Sequence, residues 1–250
     1  MLDSEYLLRW YVDAGADEAI GEVAVDRYTQ PAPPQPAAAP APAKIAAAPT
    51  QGTSAHLALA CETLEQLRTA MEAYDGCGLK RTCQCTVFAD GNPKAKLMLI
   101  GEAPGSEEDQ RGLPFVGVSG QLLDRMLASI GFNRSSAYIA NVVPWRPPGN
   151  RKPEPTEVEL CLPFIQRHIE LVDPKVLVLL GGASAAALLA RQEAISRLRG
   201  RWMDYSSPRL PRPIPALPTY HPAFLLRTPL QKREAWRDFL AVRKRLESAA

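Results

Sequence analysis

The sequence predicts an α/β fold, a three-layer αβα sandwich whose central sheet is four-stranded and mainly parallel. Three observations carry this expectation. Four short apolar runs recur along the chain: Lys96–Ile100, Ala137–Val143, Lys175–Leu180 and Ile214–Tyr220. Stretches with helical periodicity separate them and close the chain. Each apolar run ends in a polar, Gly- or Pro-bearing cluster. Apolar strands alternating with helices pack as a parallel sheet covered on both faces.

The elements follow in order. Residues 5–20 carry Tyr6, Leu7, Trp10, Tyr11 and Ala14 at helical spacing, a short amphipathic helix. Gln30–Gln51 is dominated by Ala and Pro, which makes a semi-rigid linker rather than a packed element. Ser54–Tyr74 reads as one helix with Leu57, Leu64, Leu67 and Met71 on one side. Gly120–Ile130 is a helix, and so is Thr156–Leu171, with Thr156 as cap and Glu159 completing a capping box. Ser184–Ala190 and Gln231–Ser248 are the remaining helices. Ile214–Tyr220 reads as a strand despite its prolines. The organisation is therefore an acidic helix over 1–29, a linker over 30–52 and a catalytic domain over 53–250.

Composition bounds the class. With 250 residues, 46% of them hydrophobic, the chain supports one sizeable core. No apolar run reaches membrane-spanning length, and the N-terminus lacks a basic region followed by an apolar stretch. A cytoplasmic protein without membrane attachment is expected. Five cysteines, an odd number, suit a reducing compartment better than a disulfide framework. Net charge is +2, but residues 1–52 hold seven acids and three bases, so −4, which leaves +6 on the remainder. Thirteen arginines and lysines fall between Arg191 and Arg245. That lobe suits a polyanion such as nucleic acid, although solvated helix faces account for it equally.

Chemistry is expected where the strands end, because parallel strands place their carboxyl ends on one edge. The first run leads into Gly101-Glu102-Ala103-Pro104-Gly105, then Glu108-Asp109 and Pro114-Phe115-Val116-Gly117. The second carries Asn141, followed by Arg146-Pro147-Pro148-Gly149-Asn150-Arg151. The third ends in Gly181-Gly182-Ala183-Ser184, and the fourth in Thr219-Tyr220-His221-Pro222, then Leu225-Leu226-Arg227.

The set GEAPG…EED…PFVG, NVV…RPPGNR and TYHPAFLLR, in this order, resembles the type-4 uracil-DNA glycosylases of the uracil-DNA glycosylase superfamily. The likeness runs from about Ala73 to Arg227 and leaves residues 1–52 uncovered. It implies a uracil-DNA glycosylase-like fold and a DNA repair enzyme that flips deoxyuridine out of the stack. Such an enzyme hydrolyses the N-glycosidic bond and leaves an abasic site. With no lysine in the expected catalytic loops, the reaction is monofunctional. Two alternatives stay open: a uracil-DNA binding module with little turnover, and a glycosylase of broader deaminated-base specificity.

The resemblance also assigns residues. Phe115 stacks on uracil, Asn141 reads its edge with one donor and one acceptor, and Gly101 and the backbone at Ala103 flank the base. His221 stabilises the departing anion. Glu102 attends the water, Glu108 supports it, and Asn150 stands near the flipped nucleotide. Leu225 and Leu226 form an apolar wedge, while Arg227, Arg146 and Ser184 meet the DNA backbone. The substrate is uracil-containing DNA, single- or double-stranded, handled by a monomer. The N-terminal helix docks on the core or binds a protein partner.

Type-4 enzymes carry a four-cysteine [4Fe-4S] cluster, and clusters of this kind need four thiolates. Cys77 and Cys161 match two of the family positions, but Tyr74 and Trp145 occupy the other two. A shifted set of Cys77, Cys83, Cys85 and Cys161 still counts four. The two aromatics favour a core without metal, in which packing fills the vacated volume.

Overall fold

The computed structural model describes residues 53–248, so the expectations for residues 1–29 and 30–52 lie outside the described residues. The chain opens with helices α1 (Ser54–Ala60) and α2 (Leu64–Ala73). Strands β1 (Asp90–Gly91) and β2 (Leu97–Gly101) follow, then α3 (Ser106–Arg111), α4 (Val118–Ala128) and β3 (Ala137–Asn141). Next come α5 (Pro155–Val172), β4 (Val176–Leu180), α6 (Gly182–Leu189), α7 (Ile195–Leu198) and β5 (Met203–Tyr205). The chain closes with β6 (Ile214–Thr219), α8 (Pro222–Arg227) and α9 (Lys232–Ser248).

The sheet order is β1-β3-β2-β4-β6-β5. The four inner strands are parallel, as expected, and pair in register from Leu97↔Ala137 to Leu180↔Thr219. The two outer strands are antiparallel additions that the sequence reading missed. They are only two and three residues long, too short to show an apolar period. They cover the sheet edges, and β5 pairs only the first half of β6. Pro218 lies beyond the reach of β5, so its missing N–H costs no bond on that side, whereas Pro215 stands opposite Asp204 within the pair.

Every residue of β2, β3 and β4 is buried, and alternation along each strand divides the core into two layers. Met98, Ile100, Tyr138, Leu177 and Leu179 face a layer built with Leu67, Met71, Phe164 and Ile169. Leu97, Leu99, Ile139, Val176 and Val178 face Leu123, Leu127, Phe239 and Val242 on the other side. The two faces therefore belong to different helices, which is the expected αβα sandwich. Among the described residues no helix is long and apolar enough to cross a membrane.

Two local expectations are corrected. Ser54–Tyr74 is two helices, because Thr63 leaves helical geometry and its side chain caps Gln66 N–H at 3.2 Å. The long fifth helix starts earlier than expected. Glu154 is its cap residue, Pro155 takes the first helical position, and the Glu157 carboxylate accepts the Glu154 N–H at 2.7 Å. Proline in the first turn removes an N–H that would have no partner there.

Candidate active site

Backbone crowding builds the floor of the site. Gly101 closes β2 opposite Asn141, the last residue of β3. A Cβ on Gly101 would collide with Asn141 Oδ1 and come within 2.6 Å of the Phe115 ring. Only glycine lets the three groups meet. Phe115 has φ +54, a left-handed conformation that is an outlier for a bulky residue. Its loop is held at several points. Glu108 Oε1 accepts the N–H groups of Val116 at 3.0 Å and Gly117 at 2.9 Å, and its Oε2 accepts that of Gly105 at 3.1 Å.

These strand ends enclose a cavity of about 490 Å³. Glu102, Ala103, Phe115 and Asn141 line one side, and Asn150, His221 and Arg227 line another. The chain order reverses across β2, from β3 on one flank to β4 on the other, and the cavity opens at the carboxyl ends nearby.

Three polar groups give the cavity its character. Asn141 is 6% exposed, and its Oδ1 is buried without a hydrogen-bond partner. A buried acceptor left unpaired is costly, so it marks a place where a ligand donor fits. His221 lies two residues past β6 and caps α8, with Nδ1 accepting the Ala223 N–H at 3.1 Å. The proton of the neutral ring therefore sits on Nε2. Burial depresses its pKa to about 4, the Arg227 guanidinium pushes the same way, and Glu108 opposes. The ring lies 5.5 Å from Phe115, centroid to centroid. Glu102 is half-buried; burial raises its pKa and the Lys152 ammonium pulls it back.

Several expected site residues take other places. Glu108 lines the cavity, but both carboxylate oxygens already accept backbone N–H groups, so it braces the Phe115 loop instead of supporting a water. Leu225 is 1% exposed and packs with Tyr220 and Ala235, which leaves only Leu226 free at the surface. Ser184 is fully buried and its hydroxyl donates to the Gly181 carbonyl at 3.1 Å, so it cannot meet a phosphate. Arg146 is turned inward: its Nε donates to Asn150 Oδ1 at 2.7 Å, and Nη1 lies 3.9 Å from the buried Asp109. It orients Asn150, whose φ is +55. Lys152, Ser119 and Phe224 also line the cavity. Lys152 corrects the expectation that the catalytic loops hold no lysine: a proline-rich loop does not show in sequence that it turns its lysine to the cavity.

The residues at the family's metal positions do not fit a four-thiolate cluster. Tyr74 and Trp145 are buried and stacked, with centroids 6.3 Å apart, and Phe164 meets Tyr74 edge-on at 5.3 Å. Trp145 Nε1 donates to Thr86 Oγ1 at 3.0 Å. The Cys77 and Cys161 thiols are neighbours: their contact lowers the Cys77 pKa to about 7 and raises that of Cys161. Cys83 and Cys85 sit elsewhere. The Cys83 thiol donates to the Lys80 carbonyl, and the Cys85 N–H donates to Asp109. Among the described residues no three Cys, His, Asp or Glu side chains converge as a metal set.

A parallel αβα sheet thus brings an aromatic ring, an amide and a neutral imidazole into one cavity at its strand ends. Residues 88–240 match the family model of the Uracil DNA glycosylase superfamily, and the chain belongs to that superfamily. It is 36% identical over 188 residues to a type-4 uracil-DNA glycosylase of Sulfurisphaera tokodaii, covering 73% of this chain and 84% of that protein. It is 38% identical over 182 residues to one from Archaeoglobus fulgidus, covering 71% and 90%. A third, from Thermotoga maritima, is 35% identical over 167 residues, covering 66% and 84%.

Proposed function

We propose that this chain is a uracil-DNA glycosylase of DNA repair that takes a flipped deoxyuridine into the cavity and hydrolyses its N-glycosidic bond. The observation that carries the reading is the buried, unpartnered Oδ1 of Asn141 beside the Phe115 ring. An acceptor in that place takes the N3–H of uracil, and the amide NH2 of the same residue donates to O4. Phe115 stacks on the base. Gly101 and the backbone at Ala103 leave room for its edge.

Cleavage puts positive charge on the sugar and negative charge on the base, an oxocarbenium-like transition state. The Nε2–H of neutral His221 donates to uracil O2 and stabilises the leaving anion; a neutral donor suits the anion without needing an acid pH. Glu102 stands at the cavity wall as the carboxylate that orients water, with Asn150 beside the nucleotide. Release is monofunctional, with water and not an amine as the nucleophile, and the Lys152 ammonium favours the ionised form of Glu102. Outside the cavity, Leu226 and Arg227 meet the duplex, the first as a wedge and the second at phosphate. The enzyme acts as a monomer on single- or double-stranded uracil-containing DNA, in the reducing cytoplasm that five free cysteines suit. Its core holds no cluster, because aromatic packing fills the place of two thiolates.

A uracil-containing oligonucleotide, incubated with the protein and then treated with alkali, should break at uracil and nowhere else. Borohydride added during turnover should trap no covalent adduct. An intact strand after alkali would overturn the enzyme reading in favour of a binding module.

A further inference from the structure

Arg134 lies outside the cavity, yet it is joined to the base platform. It opens the short turn before β3 and is half-buried. Its guanidinium makes four bonds. Nε donates to Asp124 of α4 at 2.8 Å, and Nη1 donates to Asp90 of β1 at 2.7 Å. Nη1 also donates to the Pro114 carbonyl at 3.0 Å, and Nη2 donates to the Phe115 carbonyl. Gly120 closes the other side, since a Cβ there would collide with the same Phe115 carbonyl.

We propose that Arg134 is a positioning residue for uracil recognition: its planar fork holds the Pro114 and Phe115 carbonyls and so fixes the Phe115 ring as the stacking surface. The inference rests on the reading of Phe115 as that surface. The carbonyl direction sets the backbone of a residue held at positive φ, and the backbone sets where the ring lies. Asp90 and Asp124 in turn orient the guanidinium, with its fixed donor geometry, toward the two carbonyls. A lysine would keep the charge between the two aspartates but lacks the fork, so it cannot hold both carbonyls in place. Glu108 grips the N–H groups of the next two residues, so the loop is held on both sides of the ring.

The test is the inhibition constant of free uracil and kcat/KM on a uracil oligonucleotide, with the thermal midpoint measured beside them. Arg134→Met should raise the uracil inhibition constant about tenfold and lower kcat/KM by about 10- to 100-fold, the scale of a misplacement of roughly 1 Å. Arg134→Lys should recover much of the thermal midpoint while the inhibition constant stays raised. A role confined to stability would leave the inhibition constant of Arg134→Lys at the wild-type value, and that result overturns the proposal. Should Arg134→Met fail to fold, Arg134→Lys decides alone. Phe115→Ala separates the two readings. A wild-type uracil constant in Phe115→Ala removes the platform and this proposal with it. A raised constant there, with a wild-type constant in Arg134→Lys, removes only the role of Arg134.

Discussion

The cavity and the aromatic corner behind Tyr74 lie in one domain and were built by opposite means. At the corner every large group is satisfied: Tyr74 stacks on Trp145, Phe164 closes the edge, and the indole N–H has the Thr86 hydroxyl. At the cavity, capacity is left over. Asn141 Oδ1 has no partner, Phe115 is held at positive φ, and His221 uses one ring nitrogen and keeps the other. Two histidines repeat the contrast. Burial depresses both, His168 to about 3 and His221 to about 4. His168 Nε2, however, pairs with Tyr138 OH at 2.9 Å inside the packed layer. A shifted pKa therefore does not separate scaffold from site here; place does, since His221 lines the cavity and His168 does not.

Mutation should separate the two regions in opposite readouts. The largest effect belongs to the corner. Trp145→Ala removes a fully buried indole and should cost about 3–5 kcal/mol of stability in denaturant unfolding. The surviving folded fraction should keep near-normal kcat. At the cavity, His221→Ala should lower kcat by about 100- to 1000-fold, with an unfolding midpoint close to wild type. Equal loss of stability in both variants would erase the distinction.

A finer separation comes from pH. The pKa of Glu102 is raised by burial, so as its carboxylate takes a proton the activity should fall, at a pH above the ordinary range for glutamate. Glu102→Gln should lower kcat and abolish that acid limb in a kcat–pH profile. Stability has its own pH dependence. His168 is neutral in the fold, while the unfolded chain takes up a proton below about pH 6.5. Its contribution is present in full above that pH and is lost as pH falls toward about 3. His168→Gln should flatten the acid side of a stability–pH curve by close to one proton, while His221 retains its smaller, similar slope. The adjacent leucines make the smallest-scale test. Leu225→Ala should cost about 2–4 kcal/mol of stability, whereas Leu226→Ala should leave stability unchanged and slow turnover of duplex more than of single strands.

Much of this was legible in the chain because local chemistry and tertiary place coincide. The four inner strands are apolar from end to end, which is what burial on two faces requires. Asn141 ends β3, and Phe115 and His221 stand in the Gly- and Pro-bearing segments that follow β2 and β6. The errors share one cause: a polar or apolar residue in a loop does not reveal which way its side chain turns. Glu108 and Glu102 look alike in sequence, yet one is held by three backbone N–H groups and the other faces the cavity. Leu225 and Leu226 are neighbours, and a short helix turns one inward and one outward. Arg134 gave no signal, since its partners Asp90, Pro114 and Asp124 are brought together only by the fold.

Taken by itself, the sequence specified the layer architecture and the edge of the sheet where the polar clusters gather. Those properties follow from periodicity and residue type, which act over a few neighbouring positions. Tertiary structure decided which acid is free and which histidine lines the cavity. It decided as well how the Phe115 ring is held. These depend on hydrogen bonds between residues distant in the chain, and one backbone turn is enough to reassign them.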